Sequence, residues 1–371
     1  MITNNEYLTE YIHTRGLSQK TQYTIKSVLN HYTTYQETNL YDLLLEADQE
    51  EEAGIRWKKR TLKKRLTSYM NHLRTTMDIN SAKTYFSIIK TFYRHHEIEI
   101  GTLPNWNLRN SKTFEPITYA DLPDKEIIRT AVEMSNPKMR SIILFLASTG
   151  MSKVDMRNIS IKSFINSTSS YHNSNNISDV VAELLDYNKP IIPTWKLRRS
   201  KTNKYFITFN TPETTVEILK YLQYRLEQKN ITPNDKLFPI NEHYFTRKFE
   251  ELNDAMQLGK IGAYNRFRGH MLRKFHSSQL SKAGMDRSKI NVLQGKSNGK
   301  VDDVYFYEDE EALKNDYVQH MSELLIFTQV EKIDSPAVLE VKKENQILKS
   351  KLEDLEQLKS DVEHIKSWWK F

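Results

Sequence analysis

Apolar residues recur at intervals of three and four along most of this 371-residue chain, and that spacing limits the folds open to it. Such a period is typical of amphipathic helices. It runs through residues 4–35, where Gly16 interrupts it and Ser18 is suited to cap a new helix, and it returns in residues 64–76 and 80–98. We therefore predict that the first hundred residues are helical.

An abrupt change of charge separates the helical stretches of this region. The acidic segment EADQEEEAG (46–54) gives way to RWKKRTLKKR (56–65), in which seven of ten residues are basic. Such a run is either a solvated helix face or a surface that binds DNA phosphates and releases counterions. Because aromatic residues nearby can supply a packed scaffold, we favour the second interpretation. The predicted DNA-binding residues are Arg56, Lys58, Lys59, Arg60, Lys63, Lys64 and Arg65.

Residues 101–127 have the composition of a linker, with three prolines and few aliphatic side chains. We place a domain boundary near residue 112. The predicted organisation is a helical domain at 1–112, a second domain at 113–328 and a tail at 329–371.

The second domain is also mostly helical, with one exception. Its longest apolar run, SIILFLASTGM (141–151), is typical of a buried helix and falls far short of the ~20 residues that span a bilayer. Residues 191–213 instead indicate two short strands joined by SKTN, so the predicted fold is mainly α with a small β-hairpin (α+β). The alternating residues of these strands are Trp195, Leu197, Tyr205, Ile207 and Phe209.

Composition narrows the classes of function. The chain carries 54 Lys and Arg against 47 Asp and Glu, a net charge of +7, which favours a polyanionic partner such as nucleic acid. It has no cysteine, which excludes disulfides, Cys-ligated zinc and thiol catalysis and suits a reducing compartment. The first residues lack the pattern of a signal peptide. We expect an intracellular, cytoplasmic protein that does not interact with membranes.

The segment NRFRGHMLRKFHSSQLSKAG (265–284) concentrates positive charge in a pattern that predicts a helix, with Gly284 as its stop. His270 and Arg273 stand three residues apart within it. Residues at this spacing share one helix face, so the imidazole and the guanidinium can converge on one small target.

This segment, continued to Tyr305, resembles the catalytic box of the tyrosine recombinases of the phage and archaeal integrase type. The family's His-x-x-Arg corresponds to His270 and Arg273, its Leu-Gly-His-like turn to LQGK (293–296), and its tyrosine follows Lys296 by nine residues. The family's hairpin lysine matches Lys201. The resemblance covers roughly residues 1–328 and implies a helical core-binding domain followed by a catalytic domain.

The resemblance implies a site-specific DNA recombinase that integrates or excises a mobile element through a 3′-phosphotyrosyl intermediate, with double-stranded DNA as its partner. Tyr305 would be the nucleophile, and Arg273 would stabilise charge on the phosphate. His270 would donate a hydrogen bond or assist proton transfer, and Lys201 would protonate the leaving 5′ oxygen. The scheme requires no metal, ATP or other cofactor.

Neighbouring residues are alternatives for two of these roles. Lys196 and Lys204 rival the hairpin lysine, while Tyr307 and Tyr317 lie near the expected nucleophile. The register from LQGK favours Tyr305, and Tyr317 better suits a structural role in the following helix. Arg199 on the hairpin is a further predicted DNA contact.

Two positions depart from the family pattern. In FLASTGMSKVDMRNISIKSF (145–164), the family's first arginine is replaced by Ser152, and the next residue is Lys153. Lysine supplies charge without the planar fork of arginine. Lys153 is the candidate replacement, with Arg157 as its alternative. Lys296 stands where the family most often has histidine, and a cationic donor there is chemically tolerable.

A seven-residue period in the tail predicts a C-terminal coiled coil, which could help protomers associate. A recombinase that synapses two DNA duplexes would act as a homo-oligomer, and we expect a tetramer on DNA. The heptad positions are Val341, Leu348, Leu355, Val362 and Trp369.

Three other functions stay open at this stage. A type IB-like topoisomerase would share the chemistry, and a DNA-binding protein that has lost cleavage would share the fold. A coiled-coil scaffold would leave the spaced His-x-x-Arg and tyrosine without a purpose.

Overall fold

The structure is a computed structural model, and it is mainly α-helical with two short antiparallel β-hairpins among its described residues. This confirms the predicted fold class. The chain divides into two compact units, residues 1–116 and 117–371. The predicted boundary near residue 112 and the predicted coiled coil both lie outside the described residues. The residues that the structure describes are 4–106, 117–298 and 309–327.

The first unit packs its helices around buried tyrosines. Ser18 caps α2 as expected, since its side chain accepts a hydrogen bond from the backbone N–H of Thr21. The hydroxyls of Tyr32 and Tyr93 lie 3.1 Å apart in the core, so these polar tips satisfy one another. The α-helices of this unit are α1 (Asn4–Thr14), α2 (Gln19–Gln36), α3 (Leu40–Glu52), α4 (Thr61–Thr76) and α5 (Ile79–His95), with a 3₁₀ turn at Trp57–Lys59.

The second unit is built around α7, in which every residue from Ser141 to Thr149 is buried. Asn136 caps its start, and Gly150 ends it in the left-handed conformation, with φ at +60°. The helices of this unit are α6 (Lys125–Glu133), α7 (Pro137–Thr149), α8 (Lys153–Asn158), α9 (Ile161–Ser167), α10 (Ile177–Asp186), α11 (Pro212–Gln228), α12 (Glu242–Ala255), α13 (Gly269–Lys282), α14 (Arg287–Leu293) and α15 (Glu310–His320), with 3₁₀ turns at Tyr119–Asp121 and Met321–Leu324.

The predicted hairpin is present as β1 (Thr194–Arg198) and β2 (Tyr205–Phe209), which pair antiparallel. Trp195 faces Thr208 and Leu197 faces Phe206, so the inner face of β2 carries Phe206 and Thr208. Of the three alternating β2 residues noted in the sequence, Phe209 is buried, Ile207 is partly buried and Tyr205 is exposed. The second hairpin pairs β3 (Lys260–Ile261) with β4 (Tyr264–Asn265).

Residues 265–268 do not belong to the predicted helix of 265–284. Asn265 ends β4, the N–H of buried Phe267 donates to the Asn253 side chain, and Arg268 has the extended backbone of a helix cap. The helix α13 therefore begins at Gly269, which places His270 in its first turn.

The helix α15 is fixed to the core by Tyr317. This side chain is fully buried, and its hydroxyl donates to the backbone O of Ser148 at 3.0 Å, which confirms its structural role. None of the helices in the described ranges has the length and apolar character that a membrane crossing needs.

Candidate active site

Arg273 lies at the meeting point of three segments. Its side chain, 7% exposed, extends from α13 and donates from Nη1 to the backbone O of Gly150 at 2.8 Å. Its Nη2 donates to the backbone O of Gln294 at 2.9 Å. Each Nη carries two N–H groups, so one on each remains for another acceptor.

The turn after α14 is held against α13 by Gln294. Its side-chain amide donates to the backbone O of Arg273 at 2.9 Å and to Nδ1 of His276 at 3.1 Å. These bonds assign the proton of the imidazole to Nε2. Gly295 follows with φ at +63°, a left-handed conformation that favours glycine.

His276 was not singled out from the sequence, although its position three residues after Arg273 was a signal. The ring is completely buried. Burial and the positive charges of Arg273 and Lys296 lower its pKa to about 3. A neutral imidazole at this place packs against Gly150 and supports the site.

His270 is exposed at the start of α13. Its pKa is lowered by partial desolvation of the ring and then by the nearby cations, Lys274 foremost among them. The ring is therefore neutral at pH 7, so it can accept a proton or donate a single hydrogen bond. A cleft of about 340 Å³ adjoins His270 and is also lined by Lys153, Arg268 and Tyr264.

Lys296 is half-buried at the end of the Gln294–Gly295 turn. Its pKa is lowered by desolvation and by the positive charges of Arg273, Arg287 and Arg199. The structure thus brings Lys296 and Arg273 into one electrostatic neighbourhood.

Lys201 is exposed in the turn between β1 and β2. That turn is fastened to α8, because the N–H of Ser200 donates to Oδ1 of Asp155 at 2.8 Å and Asn158 donates to Oγ of Ser200 at 2.9 Å. Its rival Lys196 forms an ion pair with Glu310 at 2.6 Å.

Lys153 and Arg157, the two sequence candidates for the missing first arginine, share one carboxylate. Nζ of Lys153 lies 2.7 Å from Oε1 of Glu242, and Nη1 of Arg157 lies 3.4 Å from Oε2. Arg157 also donates from Nε to the backbone O of Ile240 at 3.2 Å.

Arg199, predicted as a DNA contact, lies beside the Arg273 cluster. Its Nη1 donates to the backbone O of Gly295 at 2.9 Å, and its Nε lies 3.7 Å from Oδ2 of Asp155. Its positive charge lowers the pKa of Arg273, after burial, to about 10. A sequence signal was available, because Arg199 continues the alternation of Trp195 and Leu197 one residue beyond the end of β1.

The seven basic residues predicted to bind DNA in the first unit have two different environments. Arg60 and Arg65 form ion pairs with Glu51 and Glu46, at 3.0 and 2.8 Å. DNA contact by any of the seven stays a prediction. The other five are exposed or half-exposed: Arg56, Lys58, Lys59, Lys63 and Lys64.

Tyr305 and its alternative Tyr307 lie in 299–308, outside the described residues. The described chain resumes with Asp309, which caps α15. In the described ranges, no group of three or more acidic or histidine side chains is placed to hold a metal ion.

Comparisons with known proteins show what this chain is similar to. No curated protein sequence matches the chain. Among solved structures, the chain is similar to the XerH site-specific recombinase bound to its difH substrate, at 16% identity over 84% of this chain and 93% of that one, with a TM-score of 0.46. It is also similar to the Tn1549 transposon integrase in complex with transposon right end DNA, at 14% identity, 86% and 99% coverage and a TM-score of 0.43. A third is the integrase from mycobacterium phage Brujita, at 12% identity, 91% and 96% coverage and a TM-score of 0.33.

The family model called Phage integrase matches residues 124–311, just over half of the chain. The match runs from α6 to the start of α15 and takes in both anchors of Arg273, the hairpin and Lys296. By this match, the protein belongs to the phage integrase family.

Proposed function

We propose that this protein is a site-specific DNA recombinase that integrates or excises a mobile element, with Tyr305 as the nucleophile that cuts and rejoins the DNA. Double-stranded DNA is the substrate, and a tetramer on DNA is the assembly that brings two duplexes together. The catalytic roles follow the residues that the sequence singled out.

The observation that carries the proposal is the crowding of cations around Arg273. The charge of Arg199 lowers the pKa of Arg273, and the charges of Arg273 and Arg199 lower the pKa of Lys296. Among the described residues, Asp155 is the carboxylate that acts on Arg273 in the opposite sense. A cluster of like charges costs free energy when the site is empty, and a bound phosphate removes that cost.

The chemistry fits a phosphodiester. In the first step the phenolic oxygen of Tyr305 bonds to phosphorus, the phenolic proton leaves, and the bond from phosphorus to the 5′ oxygen breaks. Neutral His270 can accept that proton, and Lys201 can donate one to the departing oxygen. Arg273 stabilises the charge that builds on the non-bridging oxygens through paired, charge-assisted hydrogen bonds. Religation reverses these transfers.

A covalent-trapping assay tests the proposal. Supercoiled DNA that contains the regions flanking the protein's own gene is incubated with the wild type, Tyr305→Phe and Tyr307→Phe, and each reaction is stopped with detergent. We expect a protein–DNA adduct with the wild type and Tyr307→Phe but none with Tyr305→Phe, and a DNA-linked peptide that contains Tyr305.

The other outcomes separate the alternatives. Salt-sensitive DNA binding without any adduct would favour a DNA-binding protein that has lost cleavage. An adduct accompanied by relaxation, with no exchange of strands between two marked duplexes, would favour a topoisomerase.

A further inference from the structure

The position expected for the family's first arginine is occupied by a residue with another task. Ser152 caps α8, where its Oγ accepts from the N–H of Asp155 at 3.2 Å. The same hydroxyl donates to Oδ2 of Asp155 at 2.6 Å. Ser152 is thus engaged in holding the helix start, and it carries no charge.

Arg199 reaches this place from the hairpin. Its Nε lies 3.7 Å from Oδ2 of Asp155, the oxygen that also accepts from Ser152. The β1–β2 turn is bound to the other oxygen, since the N–H of Ser200 donates to Oδ1. One carboxylate therefore brings the hairpin arginine next to the position where the arginine is missing.

Arg199 and Arg273 are held by successive peptide groups. Nη2 of Arg273 donates to the backbone O of Gln294, and Nη1 of Arg199 donates to the backbone O of Gly295. Gly295 also fits against the arginine stem, because a Cβ there would lie 2.8 Å from Cδ of Arg199. The two guanidiniums thus flank one turn.

The Arg199 guanidinium keeps donors for a ligand. Its side chain is 18% exposed, and its bond to Gly295 is the one hydrogen bond it makes to the residues that the structure describes. Nε is buried and has no hydrogen-bond partner in those same residues. Because Nε faces Oδ2 of Asp155, the donors that a phosphate oxygen would engage are those of the two Nη groups.

The other candidates for the missing charge are engaged elsewhere. Lys153 and Arg157 share the carboxylate of Glu242, and Lys153 lacks the planar fork that binds two phosphate oxygens. Arg199 has the fork and stands beside Arg273.

We propose that Arg199 is a catalytic residue, the second phosphate-binding guanidinium of the active site, and that it takes the part of the arginine absent at position 152. This inference rests on the proposed function. It assigns Arg199 to the scissile phosphate rather than to the flanking DNA backbone.

The test uses the full chain and a duplex with the cleavage site mapped for the wild type. Arg199→Met keeps the aliphatic stem and removes the charge, while Arg199→Lys keeps the charge without the fork. Arg198→Met, which removes the exposed arginine next to it in the sequence, is the matched control. Each variant is assayed on normal DNA and on DNA whose scissile phosphate is a methylphosphonate, which lacks one negative charge.

We expect Arg199→Met to form the adduct about 100-fold more slowly than the wild type on normal DNA but within about threefold of it on methylphosphonate DNA. The rate for Arg199→Lys should fall between the rates for Arg199→Met and the wild type. The rate for Arg198→Met should match that of the wild type. Thermal midpoints and DNA affinities of all variants show whether folding or binding has changed. Loss of charge neutralisation is rescued by the neutral substrate, whereas a merely structural defect is not.

Two results would overturn this inference and leave the proposed function standing. One is a normal rate of cleavage by Arg199→Met, and the other is an equal loss of its rate on both substrates, while the wild type forms the adduct. Failure of the wild type to form any adduct would remove the proposed function, and the role of Arg199 with it.

Discussion

Arg65 in the first unit and Arg273 in the second are held by opposite kinds of partner. In the first, Nε and Nη2 of Arg65 bind both carboxylate oxygens of Glu46, at 2.9 and 2.8 Å, and Arg60 pairs with Glu51. In the second, Arg273 is anchored by backbone carbonyls, with more cations nearby. A basic run in a sequence therefore does not by itself reveal the role of its arginines. What distinguishes Arg65 from Arg273 is whether a carboxylate pairs directly with the guanidinium.

The acidic and basic segments within residues 46–65 thus partly bind each other. Glu46, Glu50 and Glu51 of α3 bind the start of α4, where Glu50 accepts from the N–H of Thr61 at 2.8 Å. An acidic side chain from another helix caps α4 here, in place of a local serine or aspartate. Exposed lysines on the same run keep their charge available.

Replacing Arg273 by Met should have the largest effect. We expect the rate of adduct formation to fall by about 10²–10³-fold, because a charge-stabilising donor at the phosphate is lost, while DNA affinity changes little. Single-turnover trapping measures the rate. Arg247→Met, which removes an exposed arginine of α12, is the control. Cleavage by Arg273→Met at the wild-type rate would show that Arg273 does not stabilise charge on the phosphate.

Acid should destabilise the second unit by favouring protonation of His276, the buried histidine beside Arg273. Burial and the neighbouring cations lower the pKa of His276 from 6.5 to about 3, so the unfolded chain binds a proton more tightly than the folded one. The stability that the neutral ring contributes is complete above pH 6.5 and declines as the pH falls toward 3.

For this one ring, unfolding free energy should drop by up to about 1.4 kcal/mol per pH unit over that window. Denaturant unfolding at pH 7.5 and pH 5 measures the slope. His276→Gln should flatten it, and His243→Gln, an exposed control, should not. An unchanged slope in His276→Gln would show that other groups cause the acid sensitivity.

Arg65→Met tests whether the ion pair of Arg65 in the first unit serves stability. The side chain loses two bonds to Glu46 and one to Gln36, so we expect a loss of roughly 1–2 kcal/mol in unfolding free energy. A double-mutant cycle with Glu46→Gln isolates the pair. If instead DNA affinity fell by tenfold or more and stability were unchanged, Arg65 would belong with the phosphate contacts.

The smallest effect is expected from Lys296→Met. The pKa of Lys296 is lowered by desolvation and by three neighbouring arginines, so its charged form is less favourable in the folded chain than in the unfolded one. Removing the charge should raise stability by roughly 0.5 kcal/mol or less and slow cleavage. Thermal unfolding measures the first effect. A clear loss of stability would mean that favourable contacts of Lys296 outweigh the repulsion from the neighbouring arginines.

Local signals predicted the local structure well. Ser18 caps its helix, Gly284 stops α13 with φ at +96°, and Trp195 is buried on the hairpin, because each depends on neighbours in the sequence. The sequence did not predict which face of β2 is inward, since pairing with β1 and not residue type decides it.

The site was predictable only in part, and for the same physical reason. The spacing of His270 and Arg273 indicated a shared helix face, but not that Arg273 is held by carbonyls 123 and 21 residues away. Arg199 reaches the cluster through a carbonyl 96 residues away. The Ser-x-x-Asp spacing of Ser152 and Asp155 is a local signal for a helix start, but no local pattern reveals that Asp155 also binds the hairpin.

The backbone anchors of the arginines have a consequence for which mutations the protein tolerates. A peptide carbonyl belongs to every amino acid, so no side-chain exchange at position 150, 294 or 295 deletes the acceptor itself. Such an exchange can displace it by altering the path of the chain. Gly150 and Gly295 both have left-handed backbones, and a Cβ would lie 2.4 Å from Nδ1 of His276 at the first and 2.8 Å from Cδ of Arg199 at the second. Two residues without side chains are thus among those on which the position of both guanidiniums depends.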